Sequence, residues 1–327
     1  MPANLTPEYL KAEGQFRQAK SPEDKLEALR AMLAAIPKHK GTEKMQADIK
    51  KKISQTNKEL QKKKGKKTGT SYIIKREGAG QICLVGISNT GKSTLLATLT
   101  NANPEISEVP YTTKIPYPGM LLYQNIQIQI IDLPSINPYY RLYWIYEIIK
   151  KADIVLLVID VSRDDIIEQI STIKEDLKKS HIELIPASRT VAPEDLYSKR
   201  TILLANKMDL ASSKDNLPVL LELYQHEFLI IPVSPLEKKN IDALEFTIFE
   251  YLDIVRVYSK PPGKPPDHNQ PFIFSKGSTL LDMAEAIHKD VKEKLKYARL
   301  WKKTGITGLR IPKEYVLEDE DIIEIHA

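Results

Sequence analysis

Gly86-Ile87-Ser88-Asn89-Thr90-Gly91-Lys92-Ser93 is the stretch that decides the fold. It follows a short apolar run, Ile82 to Val85, and leads into a helix expected from Ser93 to about Thr100. Strand, glycine-bearing loop and helix in that order make a phosphate cradle. Backbone N–H groups wrap the phosphates at a helix N-terminus, a lysine neutralises the outer phosphates, and a hydroxyl is placed to ligate Mg²⁺. At ordinary residue frequencies the pattern arises by chance in roughly one chain of this length in a hundred. Gly86, Ser88, Asn89, Thr90, Gly91, Lys92, Ser93 and Thr94 are therefore candidate nucleotide contacts. Lys92 is also the candidate for stabilising transferred charge, and Ser93 for holding the metal.

Around that loop the chain reads as short β-rich apolar runs separated by helices, the pattern of an α/β sheet with crossover connections. Strands are expected at Ile82 to Val85, Ile126 to Ile131, Ile154 to Ile159, Thr201 to Ala205 and Phe228 to Pro232. Cys83 alternates within the first of them and reads as packing. Directly after the fourth run stands Asn206-Lys207-Met208-Asp209, about 115 residues beyond the phosphate loop. Asp209 can accept hydrogen bonds from guanine N1 and N2, which adenine cannot supply, while Lys207 lays its stem along the base. Ser234 and Pro235, after the next strand, suit a third base-contacting loop.

Asp132-Leu133-Pro134-Ser135 follows the second run, and Asp132 suits a residue that holds Mg²⁺ through a water and opens a second switch. Ser135 takes the place of the usual glycine there, and Ile136 the place of the glutamine that orients the attacking water in Ras-like enzymes. An aliphatic side chain cannot do that job, so slow intrinsic hydrolysis is expected. The first switch should supply a threonine to Mg²⁺. Pro110-Tyr111-Thr112-Thr113 is its source, with Thr113 preferred to Thr112.

The rest of the chain bounds the answer. With 327 residues it suits two or three domains, and 42% hydrophobic with 28% charged residues is an ordinary globular balance. The longest apolar run has six residues, Ile154 to Ile159, against the ~18–20 of a spanning helix. No secretory signal is read at the N-terminus, and one cysteine cannot form an internal disulfide, so a cytoplasmic protein with no membrane partner is expected. The net charge of +5 is uneven: residues 1–80 carry 19 Lys and Arg against 9 Asp and Glu. A basic front on a mildly acidic body implies a polyanionic partner, nucleic acid before membrane.

That front, residues 1–70, reads as helical. Ser21-Pro22-Glu23-Asp24 offers a helix start, Leu26, Leu29, Met32, Leu33 and Ile36 follow at helical spacing, and a second helix opens at Thr42-Glu43 with Met45, Ile49 and Ile53 as its stripe. The two read as a helical hairpin. Lys50 to Lys52 and Lys62 to Lys67 form either a solvated face or phosphate contacts to RNA. At the other end, residues 253–327 hold a turn-rich stretch, Tyr258 to Pro266, then a strand, one long helix from about Ser278 and a short final strand. That suits a small α+β module beside a nucleotide-binding domain at 78–252.

In their order these motifs resemble the developmentally regulated GTP-binding proteins, relatives of the Obg GTPases. Val257-Tyr258-Ser259-Lys260-Pro261, Pro265-Pro266-Asp267, Ile287-His288-Lys289, Lys296-Tyr297-Ala298 and Leu317 to Ile323 are similar to that family's TGS domain. The resemblance covers about residues 78–327. It implies an α/β P-loop NTPase (Ras-like) domain with a C-terminal β-grasp, ubiquitin-like domain. It also implies a Mg²⁺-dependent GTPase making GDP and phosphate, tied to ribosomes or RNA through the basic helices and the TGS domain. Asn89 is similar to the asparagine that holds K⁺ in potassium-stimulated GTPases; its other reading is a turn stabiliser.

Departures from the family are equally specific. Asn137 to Tyr146 replaces a glycine-rich stretch, and only about 45 residues separate Asp160 from Asn206, so the extra subdomain of eukaryotic members has no room. A compact, prokaryotic-type member is implied. On a helix, Tyr139, Tyr143 and Tyr146 share one face, which suits a protein partner as well as burial. His288 and Trp301 read as structural or as RNA-stacking groups. The altered second switch also keeps open a GTP-binding adaptor that docks on RNA or the ribosome without hydrolysis.

Overall fold

The computed structural model describes residues 6–19, 22–37, 42–63, 72, 74–102, 115–137, 141–189, 197–302, 305 and 307–326. The chain opens with three helices, α1 (Pro7–Gln18), α2 (Pro22–Ala35) and α3 (Glu43–Lys63). Thr6 caps α1, its hydroxyl accepting from Tyr9 N at 3.2 Å and donating to Ala35 O of α2 at 2.9 Å. Tyr9 and Ala12 of α1 enter the same small core as Leu29 of α2 and Ile49 and Ile53 of α3. The expected hairpin is thus a three-helix unit. Tyr9, Ala12 and Phe16 give α1 too short an apolar stripe to separate it from its neighbour in sequence. Ser21 and Lys64 to Lys67 lie outside the described residues.

A seven-stranded sheet follows. Its elements are β1 (Gln81–Val85), α4 (Lys92–Leu99), β2 (Tyr117–Tyr123), β3 (Ile126–Asp132), α5 (Tyr143–Lys151), β4 (Ile154–Asp160), α6 (Ile166–Lys178), β5 (Glu183–Pro186), β6 (Ser198–Asn206), α7 (Ser213–Tyr224), β7 (Leu229–Pro232) and α8 (Ile241–Tyr251). The order is β2-β3-β1-β4-β6-β5, with β7 pairing the later half of β6. All pairings are parallel except β2 with β3. Helices α5 and α6 cover one face, α4 and α8 the other. Every residue of the central strand β4 is buried, as a parallel strand covered on both faces requires.

The five strands expected from sequence are present; β2 and β5 were not anticipated. Strand β2 carries Pro118 and Gly119, poor strand residues tolerated here because β2 is an edge. Strand β5 has only four residues. The carboxyl ends of β1, β3, β4 and β6 open on one edge of the sheet, with Leu84 beside Asp132 and Asp160 beside Asn206 in register. Ligands of parallel sheets sit at such an edge.

A second sheet is built from β8 (Ile254–Ser259), β9 (Phe272–Ser275), β10 (Tyr297–Trp301), β11 (Leu309–Ile311) and β12 (Asp321–His326), with α9 (Leu280–Ile287) and α10 (Lys289–Lys294) between β9 and β10. Its order, β11-β10-β12-β8-β9 with β12 parallel to β8, is that of a β-grasp fold. Leu280, Met283 and Ala284 of α9 pack on its inner face. The single long helix expected here is two. His288 adopts an extended backbone (φ −170°, ψ 146°), and its Nδ1 accepts from Asp290 N to cap α10.

The two sheets meet at Arg256 of β8. Its guanidinium is 4% exposed, grips Asp319 through Nε (3.0 Å) and Nη2 (2.6 Å), donates to Gln124 in the β2–β3 turn, and lies over Phe249 of α8. Asn125 in the same turn donates to Tyr258 Oη at 2.7 Å.

Candidate nucleotide site

The phosphate loop is shaped by its two glycines. A Cβ on Gly86 would stand 2.6 Å from Val158 O, and one on Gly91, at φ +89°, 2.4 Å from Asn206 Nδ2. Neither position accepts a side chain. Lys92, the first residue of α4, folds back under the loop, where Nζ donates to Gly86 O (3.2 Å), Ile87 O (2.9 Å) and Ser135 Oγ (3.2 Å). Burial pulls its ammonium down to about 8, against the opposing pull of Asp132.

Beside it, Ser93 Oγ donates to Asp132 Oδ2 at 2.5 Å. Asp132 is 1% exposed, and burial lifts its carboxyl above the ordinary range, opposed by Lys92 and by the Ser93 hydroxyl. Asp132 Oδ1 and Ser88 Oγ are both buried without a hydrogen-bond partner among the described residues. Unpartnered buried oxygens are costly, and hard oxygen donors are what Mg²⁺ takes, so this corner fits that ion and a phosphate beside it.

At the base end the groups are already bonded to one another. Asn206 Nδ2 donates to Thr90 O at 2.7 Å, which ties the β6 loop to the phosphate loop. Lys207 Nζ pairs with Asp160 Oδ2 at 2.7 Å. Asp209 Oδ1 accepts from Ser234 Oγ at 2.6 Å. Pro235 is buried in the turn after β7, and a proline has no N–H, so it offers apolar contact but no main-chain donor. Asn89 is exposed at φ 63°, a left-handed position that asparagine tolerates. Thr94 continues α4 on the far side of the loop.

The structure therefore brings Lys92, Ser93, Asp132 and the loop residues together, and Asn206, Lys207, Asp209 and Ser234 beside them. Thr112 and Thr113 lie outside the described residues, as does Tyr139. One contributor was missed in the sequence. Asp160 fixes Lys207, and its signal was an acidic residue at the carboxyl end of a fully apolar strand. Ile136 is 4% exposed in the core, and its N–H donates to Gly86 O at 3.0 Å.

One expectation needs correcting. Tyr146 does not belong to a partner surface: it is 3% exposed, donates to Asp176, and lies under the Arg141 guanidinium at 4.7 Å. Tyr143 alone of that pair is exposed, at 66%. The packing of α5 on the sheet and α6, which a helical wheel does not contain, decides which face is covered.

A parallel sheet with a phosphate loop, a Lys92–Asp132 cluster and an Asn-Lys-x-Asp corner defines a P-loop GTPase fold, here joined to a β-grasp unit. Comparison with known proteins agrees. Residues 81–189 match the family described as 50S ribosome-binding GTPase, and residues 255–327 match the TGS domain. The chain thus pairs a GTPase domain with a TGS domain and is similar over its length to developmentally regulated GTP-binding proteins. It is 26% identical to an uncharacterized GTP-binding protein of Methanocaldococcus jannaschii, covering 93% of this chain and 92% of the relative. It is 27% identical to developmentally-regulated G-protein 3 of Arabidopsis thaliana, over 92% and 97% of the two chains. Developmentally-regulated GTP-binding protein 1 of Xenopus laevis is 25% identical, over 91% and 96%. Among solved structures, a GTP binding protein from Pyrococcus horikoshii shares the fold with a TM-score of 0.50 at 17% identity, covering 76% of this chain and 99% of that one.

Proposed function

We propose that the protein is a Mg²⁺-dependent GTPase that hydrolyses GTP to GDP and phosphate slowly on its own and acts in association with RNA or the ribosome. The observation that carries this is the cluster of Lys92, Ser93 and Asp132, with buried oxygens of Asp132 and Ser88 left without partners among the described residues. Lys92 would hold phosphate charge, and Asp209 would select guanine. Ser93, Thr113 and, through a water, Asp132 would hold Mg²⁺, which supplies charge neutralisation at the phosphate oxygens when bound. Ile136 is sunk in the core and bears no group that could orient water, which supports slow turnover. The same observation favours a second reading, a GTP-binding adaptor without hydrolysis.

Support for a polyanionic partner comes from the outer face of the second sheet. Arg299 of β10 stands directly opposite Arg310 of β11, both exposed, and both lie over the Tyr297 ring. Like charges opposed on neighbouring strands repel, a cost that a bound phosphate backbone would relieve. The name of the GTPase family that matches residues 81–189 points the same way.

The test is phosphate release from GTP by the purified chain, in KCl and in NaCl at equal ionic strength, with and without ribosomes. Release that ribosomes accelerate supports the proposal, and preference for KCl would assign K⁺ to Asn89. Tight GTP binding with no release in any arm would leave the adaptor reading.

A further inference from the structure

We infer that the Ser135 hydroxyl is a γ-phosphate ligand, and that it makes this protein distinguish GTP from GDP at a position where a glycine would offer no side chain. The inference rests on the GTP-binding reading above. Three facts carry it. Lys92 Nζ has three protons, and the structure places each on an acceptor: Gly86 O, Ile87 O and Ser135 Oγ. Two of those acceptors are main-chain carbonyls of the phosphate loop and stay where the loop puts them. The third is a hydroxyl that accepts from Lys92 and has, among the described residues, no acceptor for its own proton.

The loop carrying Ser135 is fixed from both sides. Asp132 ends β3 one turn earlier, and the next residue, Ile136, is buried while its N–H donates to Gly86 O at 3.0 Å. Ser135 is thus held over the phosphate loop, where a change of its side-chain torsion redirects the hydroxyl. An oxygen of a terminal phosphate that seeks Lys92 must take the proton now directed at Ser135. The displaced hydroxyl then stands beside an anionic oxygen with its own proton to give. It exchanges the role of acceptor from Lys92 for that of donor to the phosphate, a charge-assisted bond. Lys92 serves the β-phosphate of GDP as well, but GDP has no third phosphoryl group to accept the proton of the freed hydroxyl. The hydroxyl is therefore read out by the triphosphate and not by the diphosphate.

The test compares equilibrium affinities for the β,γ-imido analogue of GTP and for GDP, both with Mg²⁺, in the full-length chain and in Ser135→Ala, Ser135→Gly and Ser135→Thr. Loss of a hydrogen bond to a charged group is expected to weaken the imido analogue about tenfold relative to GDP in the alanine and glycine variants. Threonine, which keeps the hydroxyl, should restore the wild-type ratio. GDP affinity serves as the internal measure that each variant folds. If the ratio of the two affinities stays within about twofold in Ser135→Ala, or moves in favour of the imido analogue, the hydroxyl is no ligand and the inference fails alone. If the wild-type chain binds neither nucleotide, the GTP-binding reading fails and this inference with it.

Discussion

The phosphate end and the base end of the nucleotide site are finished to different degrees. At the base end each of the three side chains has a protein partner, Asn206 on Thr90 O, Lys207 on Asp160 and Asp209 on Ser234, and Asn206 Oδ1 alone of their bonded groups is buried and unpartnered among the described residues. At the phosphate end Asp132 Oδ1 and Ser88 Oγ are buried and unpartnered among the described residues, and Lys92 is held under strong desolvation. The first arrangement would select by shape and by donor pattern. The second holds polar groups at a cost that a ligand removes, so ligand binding there should be worth more free energy per group. Affinity is therefore expected to come from the phosphate end and specificity from the base end.

Lys92→Ala is the harshest way to break that comparison. Truncating one partner of a buried, hydrogen-bonded charge pair costs enough that GTP affinity should fall about 100-fold or more, and a fluorescent GTP analogue titrated into the variant measures it. A loss of less than tenfold would mean that the phosphate end does not dominate. The base end is sharpened by Asp209→Asn. The amide offers guanine N1 and N2 a poorer acceptor and should cost about tenfold to 100-fold in GTP affinity. Xanthosine triphosphate, which has a carbonyl oxygen where guanine has its amine, should gain affinity in the same variant. Loss of GTP without that gain would place Asp209 outside the base contact.

How much of this was legible in the sequence follows the same division. Contiguous motifs, Gly86 to Ser93 and Asn206 to Asp209, were readable because chain connectivity itself fixes their geometry: a strand, a tight turn and a helix start. Partners brought by the sheet were not. Asp160 reaches Lys207 only because β4 and β6 are adjacent and in register, and nothing local to either residue announces it. Tyr146 was misassigned for a related reason, since its periodicity on α5 is real but the identity of the covered face is a tertiary fact. In the second sheet, the break between α9 and α10 hung on one residue, His288, whose side chain caps the next helix, and short strands β10 and β11 fell below what alternation alone can resolve. Arg256 was invisible for the same reason as Asp160: its partners Asp319 and Gln124 stand 63 and 132 residues away along the chain.

The mildest test of the comparison is pH, because it perturbs Lys92 without removing it. Burial brings the Lys92 ammonium down to about 8 in the folded chain, against an ordinary value of 10.5. Between these values the unfolded chain binds the proton and the folded chain does not, so stability of the nucleotide-free protein should rise as pH increases across that window. Binding has the opposite sign. A phosphate beside Lys92 favours the charged form, so binding takes up a proton above about 8, and GTP affinity should fall by about twofold at that pH and approach tenfold per unit beyond it. Guanosine, which lacks phosphates, should show no such loss until the base itself ionises. Titrations of GTP and guanosine at pH 7 to 9, with thermal melts of the nucleotide-free protein alongside, measure all three. Equal losses for GTP and guanosine below pH 9 would mean that Lys92 is not the group responsible, and the proposed division between the two ends would lose its electrostatic basis.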